Sequence, residues 1–132
     1  MATNQDRDAM VSEGVYVRYT LKDGAVVRNG TLVTVDTSNG LAESGRTAAG
    51  RELAGVAAES ADASEDTVLV RTEGVFEFAA SGLNQGSVGS IAYIVDNDTV
   101  KTVAGSNPVK VGRIVEFISA TRCRVKLIHE VS

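Results

Sequence analysis

The sequence predicts an all-β protein, and three observations support that class. Val occurs twenty times in 132 residues while aromatic residues make up 5%, so the apolar set is dominated by β-branched side chains that suit a pleated surface. Thirteen glycines against a single proline supply many turn positions. Several segments alternate apolar and polar residues with a period of two, the signature of a half-buried strand. A chain of this length fits one domain, expected over 13–132 behind a flexible N-terminal arm at 1–12.

Met1 to Ser12 mixes small, charged and amide residues without a period, which predicts the arm. Val15, Val17, Tyr19 and Leu21 then alternate with Arg18, Thr20 and Lys22 as a first strand, closed by an Asp23-Gly24 turn. A short strand is expected at Val26–Val27 and a turn at Asn29-Gly30. A third strand follows from Thr31 to Asp36, with Val33 and Val35 on one face. Asn39-Gly40 opens the least regular stretch. Within it Leu53 to Ala58 reads as one short strand, and the alanine- and acid-rich residues after it as a loop through Asp66. Thr67 to Phe78 is the clearest strand: Val68, Val70, Phe76 and Phe78 share one parity, and Arg71, Glu73 and Glu77 the other. Gly74, in the inward parity, predicts a bulge or a close backbone approach that bends this strand.

Ala79 to Gly89 is a glycine-rich turn region, Ser90 to Val95 a strand, Asp96-Asn97-Asp98 a hairpin turn, and Val100 to Val103 its return. Val109 to Ser119 reads as a strand with Val111, Val115 and Phe117 in phase. The last strand, Cys123 to Val131, turns Cys123, Val125, Leu127, His129 and Val131 inward and Arg122, Arg124, Lys126 and Glu130 outward.

Laid side by side, these strands repeat. Gly55, Glu59, Val68 and Val70 have counterparts 57 residues later in Gly112, Glu116, Val125 and Leu127. Gly30-Thr31-Leu32-Val33 through Asp36 similarly resembles Gly89-Ser90-Ile91-Ala92 through Asp96. Two such β-units, each with an exposed apolar face, would close on one another as a barrel or sandwich. The identities are few, and two independently arising β-patterns would also give them.

Composition excludes several functions. Thirteen basic against seventeen acidic residues give a net charge of −4, the wrong sign for coating a phosphate backbone, so nucleic acid is not an expected partner. One cysteine makes no internal disulfide, and one histidine makes no metal set. The N-terminus lacks the basic and apolar stretches of a secretory signal, and no apolar run approaches the ~20 residues that span a bilayer. A soluble protein made in the cytoplasm is expected, with no membrane partner.

Candidate catalytic groups all have simpler roles. Cys123 and His129 share the inward parity of one strand, about 20 Å apart at ~3.3 Å per residue, too far for a dyad. Arg122 and Arg124, which flank the thiol, point to the other face. Glu73 with Glu77, and Asp96 with Asp98, are the nearest carboxylate pairs, but they fit a solvent-facing strand and a turn respectively. The glycines match neither a phosphate loop nor a dinucleotide fingerprint. Arg122, Arg124 and Lys126 form a short basic row that reads first as a solvated face.

At Val68 to Phe78, Val-Leu-Val-Arg-Thr-Glu-Gly-Val-Phe-Glu-Phe, the chain resembles the small capsid decoration, or cement, proteins of tailed bacteriophages. The likeness extends through the Met-Ala-Thr-Asn start, Gly30-x-Leu32-Val33, Gly55-Val56-Ala57, Gly74-Val75-Phe76, Gly89 to Tyr93, and Val125-x-Leu127. It rests on the order and spacing of these elements. The resemblance implies a small β-barrel or β-tulip sandwich that binds the outside of a phage head, commonly as a homotrimer, and staples neighbouring capsomers. It further implies the major capsid protein as partner, a location on the outer surface of the virion, and neither a cofactor nor a small-molecule substrate. On this reading Met10, Val11, Val15 and Tyr16 are the capsid contacts of the arm. Leu69 and Val75, apolar on the otherwise charged parity, form the subunit interface together with Arg71. A tail or head-completion subunit, or a host-surface adhesion module, would share the same β-rich pattern.

Overall fold

The computed structural model describes residues 16–62 and 64–128. The arm, with Met10 and Val11, lies outside the described residues, as do Val15 and the inward-phase His129. The expected all-β class is borne out. The first five strands are β1 (Tyr16–Thr20), β2 (Leu32–Asp36), β3 (Ala42–Ser44), β4 (Arg51–Ala57) and β5 (Thr67–Arg71). The next five are β6 (Val75–Ala79), β7 (Ile91–Ile94), β8 (Val100–Lys101), β9 (Lys110–Ser119) and β10 (Arg122–Leu127). They form two antiparallel sheets, ordered β1-β5-β4-β2-β3 and β6-β10-β9-β7-β8. Each strand of the second sheet occupies the place of the strand five earlier in the first, so the two β-units share one topology.

The internal repeat extends to single hydrogen bonds. The Gly30 amide donates to the Ala57 carbonyl (2.8 Å) and the Ala57 amide to Thr31 (2.8 Å); the Gly89 amide likewise donates to Ile114 (2.8 Å) and the Ile114 amide to Ser90 (2.9 Å). Each unit also curls shut at the same point, through parallel bridges between Leu21 and Ala42 and between Ala79 and Thr99.

A bulge sets the curl. In the first unit Val33 opposes Gly55 and Thr34 opposes Leu53, leaving Ala54 unopposed. In the second, Ala92 opposes Gly112 and Tyr93 opposes Lys110, leaving Val111 unopposed. An extra residue bends the strand and raises its twist. Beside each bulge the backbone passes so close to its other neighbour that a Cβ at Gly55 would overlap the Arg71 carbonyl, and one at Gly112 the Lys126 carbonyl. Gly55 and Gly112 are therefore glycine for a steric reason, and they anchor the sequence repeat.

Two cores result. Val33, Val68, Val70, Ala54 and Ala57 pack with Leu21, Val27, Ala42 and Ala61 inside the first unit. Phe78, Ile94, Val111, Ile114, Cys123 and Val125 belong to the second core, which also takes in Leu32 and Val56 from the first sheet. Leu32 and Val56 oppose each other in register on the face turned away from the first core. The centre of the first sheet is thus covered on both faces, which is why Leu32, Val33 and Thr34 are all buried in succession. The Leu32 amide also donates to the Asn97 carbonyl (2.7 Å), tying the two units together.

Several expected elements change. Val27 forms only an isolated bridge to Ala61 and Val26 is exposed, so no strand forms at Val26–Val27. Strand β3 lies in the stretch read as irregular, because three residues are too short to show a period. The strand expected from Thr67 to Phe78 is two strands in different sheets. Gly74, at φ +130°, lies just before β6, and Val68 and Val70 serve the first core while Phe78 serves the second. Parity is preserved across the break, so periodicity could not reveal it. Val115 is exposed rather than inward: Arg124 opposes Glu116 and Val125 opposes Ile114, so Val115 is itself a bulge residue and Ile114 fills the core. Val17, expected inward, is 37% exposed on the edge strand β1.

Gly112→Ala should destabilise the protein by about 3 kcal/mol, since the backbone must shift to admit the methyl group. Gly24→Ala, where nothing lies near the added carbon and only the positive φ opposes it, should cost about 1 kcal/mol. Urea unfolding of both variants measures the difference, and equal losses would reject the crossing as the reason for Gly112. Phe78→Ala, at a ring 2% exposed, should cost about 3 to 5 kcal/mol by the same assay.

Candidate functional site

The register of β2, β3 and β4 assembles a buried ionic group on the outer face of the first sheet. Glu43 opposes Thr34, and Arg51 opposes Asp36. Arg51 bridges the two acids, with Nη1 3.2 Å from Asp36 Oδ2 and Nη2 3.2 Å from Glu43 Oε2. Both Glu43 and Arg51 side chains are only 10% exposed, whereas Arg46 and Lys22, the outer partners of Glu43, are about half exposed. Glu43 Oε2, Arg51 Nε and Thr34 Oγ1 are buried without a hydrogen bond among the described residues. Beside the group lies an open cleft of about 340 Å³ lined by residues 22–26 and 43–46. The amide and then the hydroxyl of Ser38 donate to Asp36 and hold its carboxyl below the ordinary range, with Arg51 adding to the effect. This group ties three strands together. Sequence reasoning missed it because β3, which carries Glu43, has no periodic signal.

On the second sheet the outward residues of β10 are ion-paired. Arg122 Nε lies 2.6 Å from Glu77 Oε2, and Arg124 Nη1 3.1 Å from Glu116 Oε1. The expected basic row is therefore a solvated face in which Arg122 and Arg124 are ion-paired, and Glu77 is held by Arg122 rather than paired with Glu73. Asp96 accepts the Asp98 amide at 3.0 Å, as a turn residue does. Cys123 is buried and its thiol pKa is pushed up by that burial, with Arg122 pulling the other way. Such a thiol is a core residue. No group of three potential metal ligands occurs among the described residues.

Of the contacts expected for binding, Tyr16 and Arg71 meet. They oppose each other across β1 and β5, and the guanidinium lies 5.2 Å from the ring centroid over a Tyr16 that is 40% exposed. Leu69 is half-buried in β5; its amide donates to Glu59, which also pairs with Arg18 at 3.3 Å. Val75 is 50% exposed at the start of β6. Leu69 and Arg71 thus sit on one sheet and Val75 on the other, rather than along one strand.

The fold and these surfaces define an all-β protein of two fused, topologically identical modules, joined through a shared core and presenting ion-paired sheet faces. The phage cement protein family matches residues 11–127, and the chain belongs to that family, a structural class and not an enzyme class. This places its function at the phage capsid. Among curated proteins and among solved structures nothing matches the chain.

Glu43→Ala should destabilise the protein by about 3 kcal/mol because it strips a buried arginine of a partner, while Arg46→Ala at the solvent edge should cost less than about 1 kcal/mol. Thermal unfolding distinguishes them. Asp62, like Asp36, is held below the usual carboxylate range, by the Ser64 hydroxyl and then its amide. A folded-state pKa below the unfolded value gives stability that is present above the ordinary carboxylate pKa of about 4 and lost as pH falls through the lower folded values. Stability should therefore hold from neutral pH to about pH 5 and decline below about pH 4, and a Ser38→Ala, Ser64→Ala variant should decline less steeply in urea titrations across that range.

Proposed function

We propose that this cement protein binds the outer surface of the DNA-filled phage head, contacts the major capsid protein, and staples neighbouring capsomers as a homotrimer. The family match over residues 11–127 carries this reading. Stapling needs no cofactor and no small-molecule substrate: a protein that binds only the assembled shell stabilises that state by mass action. A chain with two points of attachment gains further from effective concentration. The arm at 1–12 in front of one domain at 13–132 supplies the second attachment, with Met10 and Val11 in the arm and Val15 and Tyr16 just after it as apolar contacts. Support for Tyr16 comes from its exposed ring, braced by Arg71 beside the start of β1. Leu69, Arg71 and Val75 form the subunit contact, where exposed apolar and guanidinium groups suit a partly polar interface. The protein is made in the host cytoplasm and acts on the outer face of the virion.

Heads saturated with the protein should release DNA at a higher temperature than bare heads in a fluorescence-monitored ramp. A bound protein that leaves the release temperature unchanged would point to adhesion instead. Deleting 1–12 should weaken head binding while leaving thermal unfolding nearly unchanged. A Leu69→Asp, Val75→Asp variant should sediment as a smaller species than the unaltered protein, and an unchanged oligomer rejects that interface.

A further inference from the structure

Two residues join the two units. Arg71 ends the first unit, where it opposes Val56, and Gly74 already belongs to the second, where its carbonyl accepts the Leu127 amide at 3.0 Å. Thr72 and Glu73 stand between them. At this point the chain leaves one sheet and enters the other. Yet Val68, Val70, Thr72, Gly74, Phe76 and Phe78 keep one parity throughout, so residues 67–79 carry the pattern of one continuous strand. The break rests on Gly74, whose φ of +130° is a conformation that residues with a side chain rarely adopt. A Cβ there would also lie 3.1 Å from the Phe76 ring.

The contacts that hold the units together do not depend on that connection. Strands β1–β5 form one sheet and β6–β10 the other. The bridges that curl the sheets, Leu21 to Ala42 and Ala79 to Thr99, lie within one unit each. So do the ion pairs of Arg51 with Asp36 and Glu43 and of Arg122 with Glu77. The junction brings Leu32, Val56 and Leu53 onto the second core and adds the Leu32–Asn97 hydrogen bond. Gly45 also approaches Ile94 so closely that a Cβ would stand 2.7 Å from its Cδ1. Each of these contacts is the same whether the second unit comes from the same chain or from another copy.

A short connection held in a strained turn, between two units that fold on themselves and meet through an apolar junction, favours exchange of units between copies. Exchange keeps every junction contact and removes the turn.

We propose that Thr72–Gly74 is a hinge through which copies of this chain exchange units: β5 and β6 straighten into one strand, and the first unit of each copy closes on the second unit of the next. Leu32 and Val56 of one copy then fill the second core of its neighbour. Because a first unit always meets a second unit, the contact is head-to-tail and the exchange closes as a ring. The balance between ring and monomer is set by the connection and by protein concentration, since the junction itself is unchanged. A ring of three rests on the homotrimer reading above; the exchange does not.

The test refolds three proteins from urea at low and at high concentration and measures their size by sedimentation. The unaltered protein should form a ring at high concentration and a monomer at low concentration. Gly74→Val, which disfavours the positive φ and suits a straight strand, should raise the ratio of ring to monomer at least about fivefold at equal concentration. Inserting a flexible Gly-Ser-Gly-Ser-Gly segment between Glu73 and Gly74 relaxes the turn and should leave monomer at both concentrations. Thermal unfolding verifies the fold of each variant, and Gly74→Ala replaces Gly74→Val if the larger side chain prevents folding. Equal sedimentation of all three proteins overturns the exchange. An assembly that survives the insertion also overturns it, because copies would then meet through another surface. A ring of two that the insertion abolishes supports the exchange and rejects the homotrimer, so the two readings fail separately.

Discussion

A strand that carries an unopposed residue must bend, and at Gly55 and Gly112 the bend brings one backbone so near the next carbonyl that no side chain fits between them. Everything else in each unit depends on that crossing. It lets β4 and β9 pair on both edges while turning, and it carries the first strand of each unit round to bridge the third. The curl then encloses small β-branched side chains, which explains how a chain with 5% aromatic residues fills two cores.

Two curled sheets of this size leave a problem at their junction, because each has a second face. The chain solves it by asymmetry. The first sheet offers Leu32 and Val56 to the second core and so loses its outer face to the interior. Next to this apolar contact, Leu53 packs against the same core, while Thr34, Glu43, Arg51 and Asp36 continue the face as a polar edge. A buried ion group of this kind contributes little net stability but penalises any arrangement that separates its members. It therefore favours one docking of β3 and β4 over neighbouring registers.

The outer face of the second sheet carries the Glu77–Arg122 and Glu116–Arg124 ion pairs. On its inner face Cys123 is sealed in the core, and on its outer face Glu77 and Glu116 are engaged by arginines. The bulges and the shared core fix the strands on which these side chains stand.

Much of this was legible in the residues. Alternation located β2, β5, β7 and β10, turn dipeptides located the reversals at Gly24 and Gly30, and Gly55/Gly112 with Glu59/Glu116 at a spacing of 57 located the repeat, because each of these signals is local or depends on spacing alone; the register makes Val70, not Val68, the equivalent of Val125, two residues away from the pairing at that spacing. Strand β3, the split between β5 and β6, the exposure of Val115 and the Glu43–Arg51 group were not legible. A three-residue strand has no period, and a glycine break that preserves parity looks like one strand. A bulge changes phase without changing composition, and an ion group drawn from three strands exists only once they are side by side. The sequence by itself determined that the chain is all-β, twice repeated and built around glycines, since backbone conformation and side-chain alternation are properties of neighbouring residues. Which face of each unit is buried, which cations find acids and which are left exposed were decided by the tertiary structure alone, because burial and charge compensation depend on strands that meet only in the fold, at separations that run from 8 to 45 residues for the ion pairs between them.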